Sequence, residues 1–415
     1  MAGLKAKLML LNFLEFAAWG SWLVSFSAYL GGTLGFTALQ TGSIYATMGL
    51  ASLVTPALFG IIADKWVPDE RLMSLSHFLS ALFLLLAAQA SAYGTLYLFV
   101  LLAVFFFMPT LGLTNAVSYN LLETEGLDRY RHFPSIRLFG TAGFVCAALF
   151  VDLAGLKESP AQLLIAASLS LLLALYLLSF KPSALLAKKS SPDAASPALS
   201  ERLGLDALAL LRDRQVLTFF LFSIFMGVCM QISDTFTNDF LSNHFGKLPE
   251  YAGTFGVERS GTLISLSQIS ETLSYLILPF FMLKFGVKGV LAISLAAWGI
   301  RFGLLGLGDP GSGVWLLVTA MAVYGFAFSF SSVAGSLYVD HKADPAIRSS
   351  AQGLLMMLTS GVGNFAGSYL GGFVIDAAGY PAAWFIFSGY AFLLLLLFLI
   401  FFKKEPLNTP ATPQP

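Results

Sequence analysis

The chain has 415 residues, 57% of them apolar and 11% charged, with 39 phenylalanines and a formal net charge of zero. Soluble domains carry about 25% charged residues, so this composition excludes an ordinary soluble globule. The lack of a basic block argues against nucleic acid as a partner. Cys146 and Cys229 lie in apolar runs without CxxC spacing, and four scattered histidines form no ligand set, so neither a disulfide framework nor a metal or other cofactor is expected.

Lys5 and Lys7 precede the first apolar run, which continues past Trp19 and Trp22 to about Leu30 without a convincing cleavage site. It reads as a retained first helix. Twelve apolar segments follow one another near the length needed to span a bilayer: 8–31, 42–63, 73–92, 95–118, 136–154, 161–180, 216–239, 261–283, 287–307, 313–337, 349–375 and 380–402. The predicted organisation is a six-helix bundle over 1–180, a cytoplasmic linker over 181–214, a second six-helix bundle over 215–404 and a disordered tail over 405–415. The linker opens in Ser, Pro and Ala. It then carries leucines among charges from Glu201 to Arg214, a pattern that predicts a short interfacial helix.

Basic residues fix an orientation. With both termini in the cytoplasm, 19 fall on the inner side and only Lys157, Lys247, Arg259 and Arg301 on the outer side. Short repeats relate the two halves. Pro56 and Pro279 each stand nine residues before a lysine, Lys65 and Lys288, at the inner end of an even-numbered helix. The segments Pro134–Arg137 and Pro345–Arg348 each open an odd-numbered one. The offsets, 223 and 211 positions, suit a parallel duplication. The fold class expected is an all-α polytopic membrane protein with twelve transmembrane helices in two six-helix bundles.

Lone polar residues inside these segments are where chemistry could sit. In SLSQISETLSY, Gln268 and Glu271 are three positions apart and share a helix face. A carboxylate at membrane depth costs about 2.5 kcal/mol or more, so it faces a cavity or a partner. The pair either lines a pathway or joins packed helices. Gln231 and Asp234 repeat the spacing in helix seven, and Glu15 lies in helix one. Arg137 reads equally as a cytoplasmic anchor or a ligand contact. No HExxH or nucleophile–base motif appears, so an enzyme is not expected.

Gly60, Asp64 and Lys65 end helix two in a pattern that resembles the GxxxD(R/K) gating signature of the major facilitator superfamily. There the glycine would let backbones approach and the aspartate would cap a helix or pair with a base. Over nearly the whole chain, FGIIADKW at 59–66, MPTLGLTNAVSYN at 108–120, FPSIRLFGTAGF at 133–144, SQISETL at 267–273 and PAIRSSAQG at 345–353 resemble the bacterial nucleoside:proton symporters of that superfamily. The resemblance implies the major facilitator fold and uptake of nucleosides such as uridine or adenosine, with co-transported protons, by a monomer in the bacterial inner membrane. Its implied substrate contacts are Arg137, Thr141, Phe144, Gln231, Asp234, Gln268, Glu271 and Phe328. The implied proton-coupling candidates are Asp234 and Glu271, with Glu15 secondary.

Two positions depart from the family pattern. An acid that follows the tenth-helix phenylalanine is here Ser329, and a seventh-helix amide is here Asp234. Either the titratable group has moved, or substrate range and coupling have changed. A transporter of another small polar solute, such as a sugar, therefore stays open, as does altered or absent proton coupling.

Overall fold

In the computed structural model, residues 2–180, 205–344 and 347–403 are described. The linker residues before Leu205, the tail beyond Lys403 and Pro345 of the repeat lie outside them. Every regular element among the described residues is helical. The spanning helices, in chain order, are α1 (Ala2–Leu23), α2 (Ala38–Lys65), α3 (Asp69–Ala87), α4 (Tyr93–Thr124), α5 (Arg129–Leu153), α6 (Ala161–Leu178), α7 (Arg214–Asp239), α8 (260–285), α9 (287–307), α10 (Val314–Lys342), α11 (348–378) and α12 (Tyr380–Phe401). They correspond to the twelve expected segments, and ten stretches among the described residues, with α8 and α9 counted as one, are long and apolar enough to cross a membrane. Between α6 and α7 the expected interfacial helix is, where described, a 3₁₀ helix over Leu205–Arg212.

Local chemistry sets the boundaries. Thr37 opens α2 with a full capping box: its side chain accepts from the Gln40 amide, and its own amide donates to Gln40 Oε1. Gly286, at φ 65°, is the one non-helical residue between α8 and α9, so the break expected over several residues is a single glycine. Gly379, at φ 76°, stops α11, and Pro381 follows at the start of α12. α1 runs on through a one-turn helix into a π turn at Tyr29–Thr33, and α7 runs into another at Phe240–His244. A third π turn, Met357–Gly363, lies inside α11.

The chain divides into two compact units. The first comprises Met1–Pro197, Asp234–Ser265 and Ser368–Asp376. In it α1 packs closely on α5, because a Cβ at Gly143 would overlap the Phe13 carbonyl and one at Gly20 would overlap that of Phe144. Around them lie two apolar clusters, one built on Trp22, Phe26, Tyr45 and Phe107 and the other on Leu11, Met73, Val117 and Leu173. By contrast a Cβ at Gly60 would meet nothing within 4 Å. Among the described residues no backbone approaches closely there, in contrast to the approach expected.

At the end of this unit opposite the amino terminus, segments from both halves of the sequence join. Asp152, at the end of α5, accepts from the first amides of α8, Gly261 at 3.0 Å and Thr262 at 2.9 Å, and from Thr262 Oγ1 at 2.6 Å. Asp376, near the end of α11, accepts from the first amides of α2, Ala38 and Leu39, both at 2.9 Å. Arg259 donates to the carbonyls of Asp152 and Leu153, and Lys157 to Val257 O and Ser260 Oγ. Burial pulls the Lys157 ammonium below the ordinary lysine range, against the pull of Asp152 and Glu158. The π turns meet here too: a Cβ on Gly31 would strike Asp239, and one on Gly32 would strike Asn243.

The second unit comprises Ala198–Ser233, Leu266–Gly367 and Ala377–Pro415. α7 and α11 approach through Gly227, Gly363 and Gly367, each with backbone of the other helix where a side chain would stand. α8 meets α10 through Gly325, where a Cβ would overlap the Ser270 carbonyl and Ser274 Oγ; the Gly325 amide donates to Ser270 Oγ at 3.2 Å.

Candidate functional site

In the first unit Arg137, Thr141 and Phe144 fall at i, i+4 and i+7 on α5, so they share one face, and all three are half-buried. The Arg137 guanidinium lies 3.9 Å from the centre of the Phe16 ring on α1. Gly140 makes that stack possible, since a Cβ there would stand 2.6 Å from Arg137 Nη1 and 2.8 Å from Phe16 Cδ2. The arginine is thus held over an aromatic face two turns inside α5. Asp234, which opens this unit's stretch of α7, is exposed while Ser233 and Thr235 beside it are buried.

Glu15 is placed differently. It is fully buried, with Oε2 at 2.7 Å from His77 Nε2 on α3 and Oε1 accepting from Thr110 Oγ1 on α4 at 2.7 Å. His77 is fully buried as well, its Nδ1 has no hydrogen-bond partner, and its ring meets Phe107 edge-on at 5.8 Å. The pair sits inside the helix packing, on a different face of α1 from Phe16.

In the second unit Gln231 is almost enclosed, and its Cβ would be 3.0 Å from a Cβ on Gly367. Gln268 and Glu271 are both half-buried on α8. Tyr275, one turn on, donates to Glu271 Oε1 at 3.1 Å, and Thr272 turns back to the Gln268 carbonyl. Ser329, where the family pattern has an acid, is fully buried and donates to the Glu271 main-chain carbonyl at 3.2 Å. Its hydroxyl therefore ties α10 to α8. The neighbouring Phe328 is half-buried and stacks on Tyr324, with ring centres 5.7 Å apart and planes 7° from parallel.

The unit also holds a buried cation. Arg301, counted above among the outer basic residues, is only 2% exposed and points into the packing of α7, α8 and α10. Of the gating residues, Gly60, Asp64 and Lys65 all lie in α2. Among the described residues no cluster of side chains could hold a metal ion.

The family model described as Nucleoside H+ symporter matches residues 2–406. The chain belongs to the nucleoside H+ symporter family. It is 40% identical over 418 residues to nucleoside permease NupG of Escherichia coli strain K12, with 99% of each chain covered. It is 40% identical to the xanthosine permease of the same strain, covering 96% of this chain and 95% of that one. Two crystal structures of nucleoside transporter NupG superpose on it with TM-scores of 0.91 and 0.89 at 39% and 40% identity. They cover 96% and 97% of this chain and 100% of theirs. This symporter is accordingly a multi-pass membrane transporter and not an enzyme.

Sequence reasoning missed His77 and the burial of Arg301 in the symporter. A signal existed for each. His77 stands in a serine-spaced apolar segment, SLSHFLS, where a titratable group at membrane depth requires a partner. Arg301 follows a tryptophan-containing apolar run with no second charge before Asp309, as a cation embedded in packing would.

Proposed function

We propose that this protein imports nucleosides such as uridine and adenosine, together with protons, across a bacterial inner membrane, as a monomer with both termini in the cytoplasm. The two six-helix halves, 1–180 and 215–404, alternate access to a site near the membrane midplane. The ribose hydroxyls bond to Arg137, Gln268 and Glu271, while Thr141 adds a hydroxyl contact. The base stacks on Phe144 or Phe328 and bonds to Gln231. Asp234 or Glu271 takes the proton: protonation removes a costly charge from membrane depth and lets the loaded carrier reorient. Gly60, Asp64 and Lys65 serve the inner gate.

The observation that carries this reading is Glu271. It is a half-buried carboxylate on the face it shares with Gln268 inside a spanning helix, with one oxygen held by Tyr275, in a chain that matches the symporter family from end to end. Glu15, enclosed with His77 and Thr110, is assigned to the framework in this scheme.

The test is uptake of labelled uridine and adenosine into proteoliposomes with and without an inward proton gradient. Accumulation that a protonophore collapses supports symport. Exchange without accumulation favours an uncoupled carrier, the reading to which the buried hydroxyl of Ser329 points. Absence of nucleoside flux in folded protein sinks the substrate assignment and leaves another small polar solute.

A further inference from the structure

We infer that Arg301 is a positioning residue for the substrate site, fixing α7, α8 and the aromatic platform of α10 against one planar cation. The inference rests on the substrate reading above. The guanidinium donates through Nε to Ser233 Oγ on α7 at 3.0 Å and through Nη1 to the Ala320 carbonyl on α10 at 2.6 Å. It reaches Ser267 Oγ on α8 at 3.5 Å. Its Cζ stands 4.8 Å from the centre of the Tyr324 ring.

Three of these four contacts lie beside a proposed substrate contact. Ser233 immediately precedes Asp234, and Ser267 immediately precedes Gln268. Tyr324 is the ring on which Phe328 stacks. A charge buried at this depth is an expensive way to join helices that serine pairs or small residues could join. What the guanidinium adds is a rigid fork with donors in fixed directions and a flat face for stacking, which an ammonium lacks. The cation holds three helices in register and sets the plane of Tyr324, and through it the plane of Phe328.

The test compares Arg301→Gln, Arg301→Lys and Tyr324→Leu with wild type in proteoliposomes, reading KM and maximal rate for uridine and adenosine per folded molecule. Folding is checked by size-exclusion profile and by thermal unfolding without substrate. Misplaced contacts raise KM about tenfold or more while the maximal rate changes little. Arg301→Lys recovers less than half of that loss, because charge returns without the plane. If Arg301→Gln does not fold, Tyr324→Leu carries the test, with the same rise in KM expected. A KM within twofold of wild type in whichever of these variants folds overturns the inference, as does full rescue by lysine. Wild type that moves no nucleoside would instead overturn the substrate reading.

Discussion

Asp152 and Asp376 stand 224 positions apart in the chain and do the same thing: each caps the first turn of a helix from the opposite half of the sequence. The amides they cap, Gly261–Thr262 and Ala38–Leu39, are themselves 223 positions apart, so the duplication repeats the acceptor and the donor together. A carboxylate at a helix amino terminus meets unpaired N–H groups and the positive end of the helix dipole. Two such caps tie α5 to α8 and α11 to α2.

Removing these caps frees identifiable amides. Asp152→Ala is expected to cost about 1 kcal/mol or more of stability, and Asp376→Ala less, because Asp376 is exposed and more strongly screened. Hydrogen exchange should quicken at Gly261 and Thr262 in the first variant and at Ala38 and Leu39 in the second. Thermal unfolding of the double variant should equal the sum of the two, since the caps share no partner. Unchanged exchange at those amides would refute the capping role.

The pair Glu15–His77 predicts a different pattern. Either Glu15→Ala or His77→Ala alone leaves a buried polar group short of its partner, which costs about 1–3 kcal/mol. Both single variants should lose a large part of their folded yield. Replacing both together with apolar residues of similar volume should recover much of it. Accumulation per folded molecule should survive in the double replacement, and its loss would return Glu15 to the list of coupling acids.

On the proposed coupling role, Glu271→Gln should retain nucleoside binding, measured by calorimetry in detergent, and lose protonophore-sensitive accumulation. Asp234→Asn is the paired measurement. Full accumulation by the Glu271 variant would shift the assignment to Asp234.

Close packing distinguishes glycines that look alike in the sequence. Gly143→Leu and Gly20→Leu drive a side chain into the carbonyl of the facing helix and should abolish folded protein. Gly60→Ala meets no atom within 4 Å and should fold normally, with a melting temperature near that of wild type. An unfolded Gly60→Ala would contradict the open face.

The twelve helices were legible because spanning segments are long apolar runs, and nothing subtler than length and charge is needed to find them. Their ends were less so. α4 was expected over 95–118 and runs from Tyr93 to Thr124, since a helix continues into its polar flanks wherever hydrogen bonds allow. The π turns after α1 and α7 carry no composition signature, and where they meet Gly31 and Gly32 leave room for Asp239 and Asn243. Polar residues at membrane depth were visible as candidates, but not the direction each side chain takes. Glu15 and Phe16 are neighbours in sequence, yet one is enclosed with His77 and the other carries Arg137. Ser329 was visible as a departure; its bond to the Glu271 carbonyl depends on how α8 and α10 lie together.

The buried Arg301 has a consequence for biogenesis. During synthesis α9 emerges after α7 and α8, which supply Ser233 and Ser267, but before α10, which supplies Ala320 and Tyr324. Until α10 arrives, the cation lacks its closest acceptor and its stacking partner. Lateral release of α9 into lipid at that moment would strand a charge in hydrocarbon. The fold therefore favours holding α9 at the insertion machinery until α10 follows, so that the two helices enter the bilayer as a hairpin.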